Sequence, residues 1–163
     1  SFGDVVMQSS SNLPNVVLLD RITDPHNVGA ILRSAEVFGA SAVLGTKHHS
    51  APETGALAKA ASGALERQPY IRVRNLADTI LELKKMGFVA LGLDATGERD
   101  ISDAAKLYFD RPIALVMGAE GPGLRSRTKE VVDELVRIKP VSSFGSLNVS
   151  NAAAVGLHSI TAL

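Results

Sequence analysis

A chain of 163 residues with 45% hydrophobic content is long enough for one well-buried α/β domain and short for two. Lys and Arg number 17, as do Asp and Glu, so there is no global positive field and any nucleic acid must be met by a local basic patch. The absence of cysteine excludes disulfides and thiolate chemistry and fits a cytoplasmic protein; no metal-binding cluster stands out, and no run approaches the ~18 apolar residues of a membrane span.

Ser1 to Leu13 is too polar for a secretory signal, and residues 1–15, with Ser9-Ser10-Ser11-Asn12, read as a linker or tail. The chain begins at Ser1 without Met, which points to a processed or trimmed chain. The foldable part is then residues 16–163. Val16 to Leu19 is a continuous apolar run, expected as a strand covered on both faces. Asp24 is placed to cap a helix, with Pro25 as its first residue and Gly39 just past its end at Phe38. Val28, Ile31, Leu32, Ala35 and Phe38 give that helix a buried stripe. His26 and Arg33 fall on another face, with Gly29 and Ala30 between them as a shallow groove for a ligand backbone; the plainer alternative is that Arg33 is one more exposed charge.

Further along, Ala42 to Leu44 predicts a strand, Glu53 to Leu65 a small-residue helix, Tyr70 to Val73 a strand and Leu76 to Met86 a helix ended by Gly87. Phe88 to Leu93 is a strand leading into the loop Asp94-Ala95-Thr96-Gly97-Glu98, and Ile113 to Met117 a buried strand running into a glycine loop. Arg127 to Leu135 predicts a helix, Val136 to Ile138 a strand and Asn148 to Ala162 the last helix. Alternation of this kind predicts a parallel α/β sheet with its ligands beyond the carboxyl ends of the strands. Candidate basic contacts for RNA are Lys47-His48-His49, Arg72 with Arg74, and Arg125-Ser126-Arg127-Thr128-Lys129, each of which also reads as a solvated face.

Three polar, glycine-bearing stretches carry the candidate chemistry: Asp24 to Ala35, Met117 to Arg125, and Ser146 to Leu157, which opens the last helix. Gly118-Ala119-Glu120-Gly121-Pro122-Gly123 follows a strand, but its spacing is wrong for G-x-G-x-x-G, and a carboxylate would repel phosphates. A cofactor with a positive centre and no phosphate, such as S-adenosyl-L-methionine, fits better; a glycine turn with a surface Glu is the bland alternative. Asn27, Glu120, Ser146 and Asn148 suit hydrogen bonding to a hydroxyl and a sugar, and Arg33 adds a fork for a phosphate. Residue types and spacing alone stop at a ligand-binding α/β domain with a capped C-terminal helix.

In this order the three stretches resemble the motifs of SpoU-type RNA 2′-O-ribose methyltransferases, a branch of the SPOUT superfamily. The likeness runs from about Val16 to the C-terminus, includes Lys59-Ala60-Ala61-Ser62-Gly63-Ala64, and is strongest to the bacterial branch acting on a guanosine 2′-OH of large-subunit ribosomal RNA. It implies a parallel-sheet SPOUT fold with a C-terminal deep trefoil knot, an exception to unknotted topology, together with S-adenosyl-L-methionine as cofactor, RNA as substrate (ribosomal ahead of transfer RNA) and a homodimer. By motif, the catalytic residues would be Asn27, Arg33, Glu120, Ser146 and Asn148. The cofactor pocket would take Thr96, Gly97, Met117, Gly118, Gly121, Ile138, Pro140 and Leu147.

The family's usual Ile-Pro-Met before the third motif reads Ile138-Lys139-Pro140-Val141 here, with the proline displaced and the methionine lost. Many members of this branch also carry an N-terminal RNA-binding domain for which this chain has no room. Val149, Ala152, Ala153, Gly156, Leu157 and Ile160 give the last helix a smooth apolar face, readable as a dimer surface or as intrachain core. The competing functions are a transfer-RNA methyltransferase, a non-catalytic RNA-binding module of the same fold, and an unrelated nucleotide-using enzyme.

Overall fold

A computed structural model of the chain describes residues 3–4, 13–142 and 145–162, so most of the tail expected over residues 1–15 lies outside the described residues. Seven parallel strands form one sheet among them: β1 Val16–Asp20, β2 Ala42–Thr46, β3 Tyr70–Val73, β4 Val89–Leu93, β5 Arg99–Asp100, β6 Ile113–Gly118 and β7 Glu134–Arg137, in the order β3-β2-β1-β6-β4-β7-β5. The chain winds outward from β1 to β3, crosses to β4, and later inserts β6 between β1 and β4. The reversal of direction therefore falls beside β1 and β6, and in open parallel sheets ligands bind outside the carboxyl ends of the strands at such a point.

Successive residues of the central strands point to opposite faces, so each strand serves two cores. Val17, Leu19, Leu91, Leu115 and Met117 pack under the helices α1 (Pro25–Val37), α2 (Gly55–Ala61), α3 (Ala64–Arg67), α5 (Ile101–Leu107) and α7 (Val149–Thr161). Val16, Leu18, Ala90, Ala114 and Val116 pack under α4 (Leu76–Lys85) and the segment around α6 (Ser126–Val131). Coverage of both faces explains why the central strands read as continuous apolar runs.

The expected caps form where the sequence places them. Asp24 Oδ1 accepts from the His26 amide at 2.9 Å, Pro25 opens α1, and Gly39 follows the helix with φ of 72°. Asn148 caps α7, its Oδ1 accepting from the Ser150 amide at 2.9 Å and hydroxyl at 2.6 Å. The helix expected over Glu53 to Leu65 is instead two short ones, because Ser62 and Gly63 both adopt left-handed backbone, with φ of 55° and 90°. The helix expected over Arg127 to Leu135 stops at Val131, and Glu134 and Leu135 belong to β7. The segment Arg99 to Leu107, assigned no element from the sequence, supplies β5 and α5.

One expectation about surfaces is corrected and another is narrowed. The groove at Gly29 is not open to a ligand, because α2 fills it: a Cβ there would lie 2.5 Å from the Leu57 carbonyl oxygen and 2.9 Å from the Ala61 amide nitrogen. Of the two readings of the small-residue face of α7, intrachain core holds for four of its six residues, while Ala152 and Ile160 are half-buried. Val149, Ala153, Gly156 and Leu157 are buried, and Gly156 lies against Leu115 and Ile101.

Gly29→Ala is accordingly expected to destabilise the chain by about 1–3 kcal/mol, since the clash is with backbone that cannot rotate away. Urea unfolding followed by circular dichroism measures it; a neutral effect would show that α2 is free to move.

Candidate functional site

The loops that follow four adjacent strands, β1, β6, β4 and β7, meet at one edge of the sheet because all four run parallel. After β1 comes the first turn of α1 with Asn27, half-buried, whose amide nitrogen donates to Asp24 Oδ2 at 3.5 Å. Arg33 lies further along the same helix, exposed, and makes no hydrogen bond or ion pair among the described residues.

After β6 comes the glycine loop, closed by a bridge between Ala119 and Gly123, with the Gly123 amide donating to the Ala119 carbonyl at 2.8 Å. The loop doubles back so tightly that a Cβ on Gly118 would lie 2.4 Å from the Gly123 carbonyl carbon. That glycine is required by the loop's own backbone. Glu120 is held out into solvent at the turn, and Gly121 has φ of 80°. Met117 is buried beneath, with its side chain in the core and only its backbone available.

After β4 comes the loop carrying Thr96 and Gly97. Gly97 is pressed against the neighbouring strand, where a Cβ would lie 2.5 Å from the Val136 carbonyl carbon. The Asp94 carboxylate organises this loop, accepting from the Thr96 hydroxyl and, at 3.0 Å, from its amide, with Lys129 Nζ at 4.0 Å. Burial pushes that carboxyl up, but the two Thr96 bonds and the Lys129 charge outweigh it and hold it below the ordinary carboxylate range.

After β7 come Ile138, half-buried, and the exposed Pro140, Ser146 and Leu147, then Asn148 at the cap of α7. The departure at Lys139 has a structural anchor: the Lys139 amide donates to Asp100 Oδ2 at 3.1 Å. The Ser102 hydroxyl, together with the amides of Ser102 and Lys139, lowers the Asp100 carboxyl below its ordinary range. Pro140 and Val141 point outward, so the displaced proline encloses nothing on its own. Arg137 Nε, just before Ile138, is buried and has no acceptor among the described residues.

Sequence reading missed the pair that locks this edge. Asp20, the last residue of β1, is 0% exposed, and its two oxygens accept from Arg125 N and Nε, each at 2.8 Å. The bridge ties the exit of the glycine loop to β1. The available signal was an acid closing an otherwise apolar strand, since a buried carboxylate needs a partner.

A cavity of about 300 Å³ opens on the opposite face, lined by Thr46, His48, His49, Arg74, Arg125 and Arg127 among others. None of the residues expected to hold a cofactor lines it. The three basic stretches singled out in the sequence, distant along the chain, each send residues there, although Arg72 itself is committed to the Ala51 carbonyl at 2.8 Å.

The chain is thus a parallel α/β domain with polar, glycine-bearing loops at its strand ends. Residues 14–158 match the SpoU rRNA Methylase family, and the chain belongs to that family. It is 46% identical over 154 residues to a 23S rRNA (guanosine-2′-O-)-methyltransferase of Ralstonia nicotianae, covering 94% of this chain and 61% of that protein. It is 41% identical over 154 residues to the same-named protein of Vibrio parahaemolyticus, covering 94% of this chain and 60% of that one. The SpoU methyltransferase AviRb of Streptomyces viridochromogenes, crystallised with AdoMet, superposes with a TM-score of 0.83 at 29% identity, over 98% of this chain and 60% of that one. The chain thus spans about three fifths of the length of the relatives it matches.

The buried pair gives an asymmetric prediction. Arg125→Ala strands a fully buried carboxylate and is expected to cost about 2–4 kcal/mol, less than a wholly buried pair because Arg125 is 42% exposed. Asp20→Asn keeps the shape, leaves a guanidinium that water can reach, and should cost about 1–2 kcal/mol. Chemical denaturation of both variants reads the order; the reverse order would contradict the assignment of the burden to Asp20.

Proposed function

We propose that this domain methylates a ribose 2′-OH of RNA, most specifically a guanosine of large-subunit ribosomal RNA, using S-adenosyl-L-methionine. The observation that carries the reading is that Asn27 follows β1, Glu120 follows β6, and Ser146 and Asn148 follow β7, parallel strands whose carboxyl ends share one edge of the sheet. The relatives named above support the substrate class. A ribosomal RNA substrate also implies a cytoplasmic site of action.

The residues at this edge fit the cofactor. Ile138 and Leu147 offer apolar surface, Thr96 and the backbone at Gly97 and Gly118 offer neutral hydrogen-bonding groups, and the orphan Arg137 Nε is a donor in want of an acceptor. Gly121 and Pro140 complete the rim, and Met117 contributes main chain. S-adenosyl-L-methionine supplies a methyl group on a positively charged sulfur, open to attack by an oxygen. Arg33 keeps a fixed positive charge toward the alkoxide that develops as the hydroxyl loses its proton, and its planar fork suits the adjacent phosphate. A guanidinium is a poor base, so the proton leaves through Glu120, Ser146 or water.

The same reading includes two finer features. The return of the chain from β7 to pack α7 beside α1 and β6 supports the deep trefoil knot of the family. Four of the six residues expected at a homodimer surface are buried, and Val155, 40% exposed on α7, with Val37, 69% exposed at the end of α1, provides apolar area for it. Phe38 and His158 pack edge-to-face with ring centroids 5.7 Å apart, joining these two helices. Light scattering at micromolar concentration is expected to give a dimer and Val155→Glu a monomer; a monomeric parent chain would remove the dimer.

The activity is tested by incubating the chain with labelled S-adenosyl-L-methionine and total ribosomal RNA and mapping 2′-O-methylation. Arg33→Ala is expected to lose on the order of a hundredfold in rate, the scale of a missing oxyanion partner. Arg33→Lys should retain part of it with an unchanged pH profile. A lysine-like ionisation with activity rising on deprotonation would instead make residue 33 the base. Binding of S-adenosylhomocysteine without any methyl transfer would favour a non-catalytic module.

A further inference from the structure

The basic cavity is left unused by the chemistry above. Its walls come from three segments: the loop after β2 supplies His48 and His49, the β3–α4 junction supplies Arg74 and Asn75, and the entry to α6 supplies Arg125 and Arg127. No carboxylate lines it. Arg125 is neutralised by Asp20, but Arg74 forms no ion pair among the described residues. Arg127 reaches only Glu130 at 3.4 Å, with the two side chains 62% and 65% exposed, a pairing too solvated to remove its charge from the cavity.

The wall also presents main-chain donors. Asn75 Oδ1 accepts from the Asp78 amide at 3.0 Å, which leaves the amides of Leu76 and Ala77, at the start of the ten-residue helix α4, without intrahelical acceptors. Both residues line the cavity, at the positive end of the helix. The facing loop is fixed in place: the Thr46 hydroxyl donates to the His48 carbonyl, the Lys47 amide to the Val73 carbonyl at 2.8 Å, and Arg72 Nη2 to the Ala51 carbonyl at 2.8 Å. Side-chain cations, a helix N-terminus and a braced loop therefore converge on one volume, with room for a sugar-phosphate unit and its waters.

We propose that this cavity seats a backbone phosphate of the RNA strand, through Arg74, Arg127 and the amides of Leu76 and Ala77. The inference rests on the RNA-methylating reading above and adds where the strand runs. Arg125 lines the cavity and, five residues after Glu120, leaves the glycine loop, so the strand crosses the carboxyl edge of the sheet from the α1 side to the α4 side. A chain of zero net charge thereby gains a local grip on a polyanion.

The test is a nitrogen-15 NMR titration of the 163-residue chain with a short single-stranded oligoribonucleotide, and separately with inorganic phosphate. The Leu76 and Ala77 amides are expected to shift with RNA at concentrations where inorganic phosphate leaves them unmoved. In the double variant Arg74→Glu/Arg127→Glu, RNA affinity should fall about tenfold or more, and the slope of log affinity against log salt should be shallower by about 0.7 per lost phosphate contact. The KM for RNA should rise while kcat at saturating RNA and S-adenosylhomocysteine binding stay unchanged, which a general loss of fold would not allow.

Unmoved Leu76 and Ala77 amides, an equal response to inorganic phosphate, or an unchanged affinity in the double variant would each overturn the proposal. Methyl transfer by the unaltered chain is scored independently. If it occurs and the double variant behaves like the parent, the cavity assignment alone fails; if it does not occur, the methyltransferase reading fails and takes this inference with it.

Discussion

The interaction on which the working edge depends is the buried bridge between Asp20 and Arg125. A carboxylate with no exposure is tolerated only because two N–H groups of one residue satisfy its two oxygens at 2.8 Å. Its position gives it reach. Asp20 ends β1 beside Gly118, at the point where the strand order reverses, and Arg125 is the residue by which the chain leaves the glycine loop. One pair thus sets the height of the loop bearing Glu120 relative to the first turn of α1 bearing Asn27, and turns Arg125 toward the basic cavity.

Close packing does the rest of the positioning. Gly29 lets α2 lie against α1, Gly97 lies on the backbone of β7, Gly118 admits the returning glycine loop, and Gly156 lets α7 settle on Leu115. Each is a place where a side chain would hold two segments apart. Small residues in this domain act mainly on the chain itself, and the polar residues beside them are held out into solvent as a consequence. Glu120 is exposed because the turn beneath it is closed by its own main chain.

Charge is arranged in the same local manner. Equal numbers of acidic and basic residues leave no net field, yet three basic stretches from separate parts of the chain gather around one cavity that no carboxylate enters. Asp94 and Asp100, by contrast, are turned inward to hold loops, their carboxyls kept ionised by hydroxyl and amide donors. These two acids brace loops, whereas Arg74 and Arg127 line the cavity.

Much was legible in the residues alone. The apolar runs at Val16, Ile113 and Phe88 determine buried strands because hydrophobic burial is a property of composition, and Asp24-Pro25 and Asn148 determine helix starts because capping is a local bond. The three polar stretches and their likeness to a family were equally readable, being contiguous in sequence. Tertiary structure decided what depends on partners far along the chain: that the stripe of α7 is core, that the space beside Gly29 belongs to α2, that Asp20 finds Arg125 across 105 positions, and that His48, Arg74 and Arg127 share a wall. A sequence states which groups need a neighbour; only the packed sheet, by bringing parallel strand ends to one edge, determines which neighbour each receives.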